Sequence, residues 1–205
     1  MKPVIVGISG ASGSRMAKAT VDALLECRIP ITLVCTNDAK LVWQQEMDES
    51  FNQCLSSWRE DPHFRSYGIH EMNAVIASGS YPTSGMVIVP CSMASVASIA
   101  QGIANNLLLR AADVCLKERR TLVVVPRETP IHSIHLKNLT TLARLGAVIL
   151  PPEPPFYLRV ETVADIVKFF VMRILVLLGL EDSLPYQYQY RGPDQKQRHV
   201  GLGNG

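Results

Sequence analysis

Five short runs of mostly branched apolar residues punctuate the chain, at residues 4–7, 31–36, 86–90, 121–126 and 147–150. They are apolar at nearly every position rather than at alternate ones, which marks strands buried on both faces. Helix-patterned stretches separate them, so consecutive strands must be joined by crossovers. Strands of this kind form a parallel sheet with helices packed on both faces. The pattern therefore predicts a three-layer α/β fold.

The intervening segments fill in that plan. Helical patterns cover residues 14–26, 94–109 and 110–119. Thr129 suits a helix N-cap, Pro130 a first helical residue and Gly146 a C-terminal stop. Residues 38–71 are mixed and polar, contain both tryptophans and predict helix and loop without clear boundaries. The most apolar stretch, 163–180, carries Asp165, Lys168 and Arg173, which favours a buried or interface helix over a membrane span. The 205 residues suit one domain, expected over 1–185, followed by a mobile tail over 186–205.

Charge and cysteine usage narrow the function. A net charge of +2 without a basic block gives little support to nucleic-acid binding. Five cysteines with no CxxC pair read as reduced thiols of a cytosolic protein, and no cationic leader precedes the first strand. The histidines show no metal-ligand spacing, and His132 and His135 read as a surface pair.

In a parallel sheet, ligands bind beyond the carboxyl ends of the strands, where strand order reverses. The unusual residues of this chain fall at those ends: Ser9 to Ser12, Thr36, Cys91 with Ser92, Arg127 with Glu128, and Tyr157. "GISGASG" at residues 7–13 is a strand-to-helix turn that reads equally as an anion cradle or a plain tight turn. Ser92 in "PCSMAS" suits a helix N-cap. Cys91 has no histidine nearby in sequence, which disfavours a nucleophilic role. Arg110 and Lys117 share a helical face, with Asp113 placed to pair with Lys117 at i,i+4, and Arg119 and Arg120 read as a solvated helix end. Arg173 is the only charge between Lys168 and Glu181. It either snorkels to the surface or meets an anion from a substrate or another subunit.

Read in order, "GISGASG", "SGS", "PCSMAS", "NNLLLRAADVCLKERRTLVVVPRETP", "HLKNL", "GAVILPPEPPFY" and "RIL" resemble the UbiX family of flavin prenyltransferases over residues 3–182. The resemblance implies a flavodoxin-like or Rossmann-type sandwich, assembled as a homododecamer with sites at subunit junctions. It implies transfer of a dimethylallyl group from dimethylallyl phosphate or diphosphate to N5 and C6 of reduced FMN. The product, prenylated FMN, serves a UbiD-type decarboxylase. No metal is required.

By position, the resemblance gives Gly10, Ala11, Ser12, Thr36, Ser92, Met93, Ala94, Ser95, Arg110 and Arg127 to the flavin. It gives Lys117, Tyr157 and Arg173 to the donor phosphate, and Ser12, Glu46, Lys117 and Glu128 to catalysis, Glu128 as a proton acceptor. Two rivals share the cofactor: a cysteine decarboxylase of the phosphopantothenoylcysteine type and a non-catalytic FMN-binding subunit. The first requires an early catalytic histidine and a PxMNxxMW-like motif, which the sequence lacks; its first histidine is His63. The second would make the phosphate clamp dispensable.

Overall fold

Strand β1, Val4–Ile8, is buried at all five positions and occupies the middle of the sheet. The architecture comes from a computed structural model that describes residues 1–158, 160–190 and 192. Around β1 lie β2 (Ile31–Cys35), β3 (Phe64–Tyr67), β4 (Gly85–Cys91), β5 (Thr121–Pro126) and β6 (Val148–Ile149). All pairings are parallel, and the order is β3-β2-β1-β4-β5-β6. The order reverses between β1 and β4. That reversal opens a crevice at the carboxyl edge.

The helices divide between the two faces. α1 (Ser14–Glu26), α2 (Asn37–Glu46), α3 (Phe51–Trp58) and α7 (Val163–Leu177) pack on one face, around Val6, Leu33, Val87 and Val123. α4 (Met93–Ala100), α5 (Leu107–Lys117) and α6 (Ser133–Arg144) pack on the other, around Ile5, Ile88, Leu122 and Val124. Alternate residues of the central strands feed opposite cores, which is why these strands carry no polar alternation. Among the described residues, no helix is long and apolar enough to cross a membrane.

The structure corrects the expected elements in four places. Residues 38–71 contain a sixth strand, β3, which the sequence reading missed. As an edge strand it buries Phe64 and exposes Arg65, so it lacks the continuous apolar signature of its neighbours. Without it the other five strands follow the flavodoxin order; with it the sheet has the full six-stranded Rossmann order. The helix expected over 94–109 is broken at 101–106, where Gly102 takes φ +69 and Asn106 caps a new helix. α6 starts at Ser133 rather than beside Pro130, because His132 Nδ1, not Thr129, accepts the first-turn N–H.

The fourth correction concerns the charges of α5. Asp113 pairs with Arg110 at 2.7 Å rather than with Lys117, which bonds Glu118. Arg120 is not a solvated helix end: its guanidinium donates to the carbonyls of Gly79 and Tyr81 and to the Thr83 hydroxyl, pinning the loop before β4. Gly146 stops α6 as expected, in a Schellman turn with N–H bonds from Gly146 to Ala143 and from Ala147 to Leu142. Of the expected tail, residues 186–190 carry a short 3-10 turn, and Tyr188 meets Phe169 of α7 edge to face at 5.9 Å. Residues 193–205 lie outside the described residues.

Candidate active site

Three helices begin at the mouth of the crevice. Thr36 caps α2, Ser92 caps α4 and Asn106 caps α5, each accepting a first-turn N–H with its side-chain oxygen. The cavity they surround measures about 330 Å³ and is lined by Ser9, Gly10, Thr36, Ser92, Ala94, Ser95 and Asn106, among others. Helix N-termini present unpaired N–H groups and the positive end of the dipole. Three of them around one cavity make a site for a phosphorylated or otherwise anionic ligand. Of the flavin residues that the sequence suggests, Gly10, Thr36, Ser92, Ala94 and Ser95 line this cavity.

The glycine turn passes close to α2. A Cβ on Gly10 would stand 2.5 Å from Asp38 Cβ, so only glycine fits there. The next helix is closed rather than open: Glu46 reaches across from the end of α2 and accepts the N–H groups of Gly13 (3.0 Å) and Ser14 (2.7 Å). The nearby Ser12 and Ser14 hydroxyls also favour the ionised form of this carboxylate. Burial pushes the Glu46 carboxyl up, but these bonds outweigh it and hold it below the usual carboxylate range. The α1 N-terminus is thus occupied by the protein's own anion, and an incoming anion is left to α2, α4 and α5.

A carboxyl held low in the folded state stabilises above its unfolded-state value and loses that contribution as pH falls through the folded one. Glu46→Gln is therefore expected to destabilise the protein by about 1 kcal/mol at neutral pH, the size of a helix cap. The difference from wild type should shrink below the usual carboxylate range. Urea titrations at pH 7 and pH 4 check this; an equal difference at both pH values would contradict it.

Arg127 and Glu128 follow β5 on its carboxyl side. The Arg127 N–H donates to the Cys91 carbonyl at 3.2 Å, which brings this exposed pair beside the start of α4. Glu128 Oε1 accepts the Thr129 N–H at 3.0 Å, leaving its other oxygen for a ligand. Met93 is buried at the start of α4. Cys91 is fully buried and its thiol is pushed up to about 12 by burial, with the Ser9 hydroxyl acting the other way. A thiol so placed stays protonated at neutral pH and is no nucleophile.

The remaining residues are not brought to the crevice of their own chain. Arg110 is held within α5 by Asp113 and by the Ala77 carbonyl at 3.0 Å. Lys117 ends α5, beside Gly79 and just before β5 begins, at the amino edge of the sheet. Arg173 lies on α7, on the opposite face, half-buried and without an ion pair among the described residues. Tyr157 sits in the 3-10 turn Phe156–Leu158, 53% exposed, with Tyr190 edge to face at 5.8 Å. Lys117 and Arg173 therefore stand on helices that pack on opposite faces of the sheet.

Comparison with known proteins shows what this chain is similar to. The Flavoprotein family model matches residues 1–175. Flavin prenyltransferase LpdB of Lactiplantibacillus plantarum is 46% identical over 176 residues, covering 85% of this chain and 91% of that protein. The chain belongs to the UbiX-like flavoprotein family. A dodecameric FMN-dependent UbiX-like decarboxylase from Escherichia coli O157:H7 superposes with a TM-score of 0.85 at 40% identity, covering 93% of this chain and all of that one. AnUbiX, solved with FMN and dimethylallyl pyrophosphate, gives 0.84 at 33% identity, covering 93% and 97% of the two chains.

For a UbiX-like flavoprotein, the crevice contains residues that sequence reasoning passed over. Asp38, Ile69, His70, Asn105 and Asn106 all line it, beside the Ser9 that the strand-end pattern had pointed to. The Asn-Asn pair before "LLLRAA" is a readable N-cap signal. Ile69 and His70 carry none, because the segment after β3 reaches the crevice only through the edge strand that was missed.

Proposed function

We propose that this chain is a flavin prenyltransferase that joins a dimethylallyl group from dimethylallyl phosphate to N5 and C6 of reduced FMN, producing prenylated FMN for a UbiD-type decarboxylase. The observation that carries the reading is the switch-point crevice. Three helix N-termini surround it, and the Arg127 N–H is tied to Cys91, next to the Ser92 that lines it, in a chain 46% identical to an enzyme of that name. The donor set fits a phosphorylated flavin. Gly10, Ala11 and Ser12 would hold it on the β1 side, Thr36 on the α2 side, and Ser92 to Ser95 with Arg127 on the α4 side.

The reduced flavin is a substrate, and it supplies the electron-rich N5 and C6 that take the allylic group. The protein's part is to draw off the phosphate and to take a proton. Lys117, Tyr157 and Arg173 form a clamp of two cations and a phenol that stabilises the departing phosphate by charge-assisted hydrogen bonds. Ring closure breaks the prenyl C=C bond, adds a proton to its CH carbon from the departing phosphate's acid form and releases one from C6, which Glu128 accepts. Glu46, with Ser12, fixes the turn that presents Gly10, and Arg110 reaches the flavin of a neighbouring copy.

The clamp is completed between copies of the chain, in a homododecamer, an arrangement that the placement of Lys117 and Arg173 on opposite faces supports. The exposed Ile131, Ile134, Phe156, Val163 and Tyr190 supply apolar surface for such contacts. One domain over 1–185 carries the site, and the cytoplasm is its place of action.

The test is anaerobic. Purified protein is mixed with reduced FMN and dimethylallyl phosphate, then with the diphosphate, and the extracted flavin is weighed by mass spectrometry. A flavin heavier by one prenyl unit with the monophosphate is the expected result. Unmodified FMN with both donors, from protein that binds FMN, would replace this reading with an accessory or decarboxylase role.

A further inference from the structure

Ser9 marks the point where the sheet opens. Regular pairing of β1 with β4 ends at Gly7 and Ile88, and β4 continues against β5 alone, with an irregular register between Ile88 and Cys91. Across this opening Ser9 makes three bonds. Its N–H donates to the Pro90 carbonyl at 3.2 Å, and its hydroxyl donates to the same carbonyl at 3.3 Å. The hydroxyl oxygen also accepts the Ser92 N–H at 2.8 Å. The residue is 1% exposed, so water cannot substitute for any of these partners.

The two chain segments joined by this hydroxyl are opposite walls of the crevice. Gly10 follows Ser9 directly, and Ser92 caps α4, whose first turn supplies Ala94 and Ser95 to the lining. We propose that Ser9 is a positioning residue for flavin binding: its hydroxyl sets the separation and orientation of the glycine turn and the α4 N-terminus, and so the shape of the crevice between them. The proposal rests on the crevice being the flavin site. Its physical basis is that a slot for a flat ring tolerates little change in width, and beyond the ladder no other side-chain bond among the described residues links Ser9 or Gly10 to Ser92.

Alanine at position 9 keeps the N–H bond to Pro90 and loses the hydroxyl. The part-buried Ser92 N–H then loses its protein partner, which favours rotation of α4 away from the turn. FMN titrations of the wild type, Ser9→Ala and Ser9→Thr, followed by flavin fluorescence and by melting temperature, separate positioning from bulk stability. Thr20→Val is the control. Thr20 is fully buried in α1 and its hydroxyl donates to the Met16 carbonyl at 2.8 Å, but it lines no part of the crevice.

Ser9→Ala is expected to bind FMN roughly ten- to a hundred-fold more weakly. Thr20→Val is expected to melt lower with unchanged FMN affinity, and Ser9→Thr, which keeps the hydroxyl, to recover affinity. If Ser9→Ala does not fold, Ser9→Cys, of similar shape and with a weak acceptor, is expected to show the same loss. Wild-type FMN affinity in folded Ser9→Ala or Ser9→Cys would overturn the Ser9 proposal alone. Failure of the wild-type chain to bind FMN would overturn the flavin reading and the Ser9 proposal with it.

Discussion

Lys117→Ala and Arg173→Ala each lower prenyl transfer by about a hundred- to a thousand-fold when assembled alone, the loss expected for removing one donor from a transition-state anion site. Co-assembled in equal amounts, the two dead variants are expected to regain about a quarter of the wild-type rate, since half the copies supply each intact partner and the two partners come from different copies. The geometry behind this is the sheet. α5 packs on one face with Leu108 and Cys115, and α7 on the other with Phe170 and Ile174. Lys117 and Arg173 thus stand on opposite faces, and the proposed clamp takes one of them from a neighbouring copy.

The measurement uses differently tagged variants, co-expressed and purified through both tags, with FMN content and turnover recorded. FMN content should stay at the wild-type level throughout, because neither residue lines the crevice of its own chain. No recovery in verified mixed assemblies would mean that the two residues serve one copy. Full activity in both single variants would remove the clamp.

Much of this arrangement was legible in the sequence, and the reason is local. The apolar runs of β1, β2, β4 and β5 are buried on both faces and announce themselves without their neighbours, whereas the run expected at 147–150 yields only the two-residue edge strand β6, which is partly exposed. Thr36 and Ser92 cap helices through bonds three residues long, so their positions follow from short-range patterns. The parts that stayed hidden depend on distant contacts. β3 is legible only once β2 is there to pair with it. Ser9 is tied to Ser92 across 83 residues, and its neighbours in sequence say nothing of that bond. The opposite placement of Lys117 and Arg173 follows from which crossover runs on which face, a property of the whole topology. Asp113 likewise had two cationic partners within reach along α5, and the Ala77 carbonyl fixes Arg110 so that it is the one chosen.

Glu128→Gln is expected to keep FMN at wild-type affinity and to lower turnover by roughly a hundred- to ten-thousand-fold, the range for loss of a positioned general base. The local fold should survive the change. Glu128 is exposed, and its one bond among the described residues, from the Thr129 N–H at 3.0 Å, is an acceptor role that a glutamine amide oxygen can fill. Arg127, which follows β5 and is tied through its N–H to Cys91, is untouched, so the flavin side of the site remains as built. What glutamine cannot do is accept a proton. Turnover and FMN affinity measured together therefore separate proton transfer from binding. A variant that binds FMN and turns over at the wild-type rate would assign the proton to the departing phosphate, the only other base that the reaction itself brings to the site, and would reduce Glu128 to holding the turn after β5.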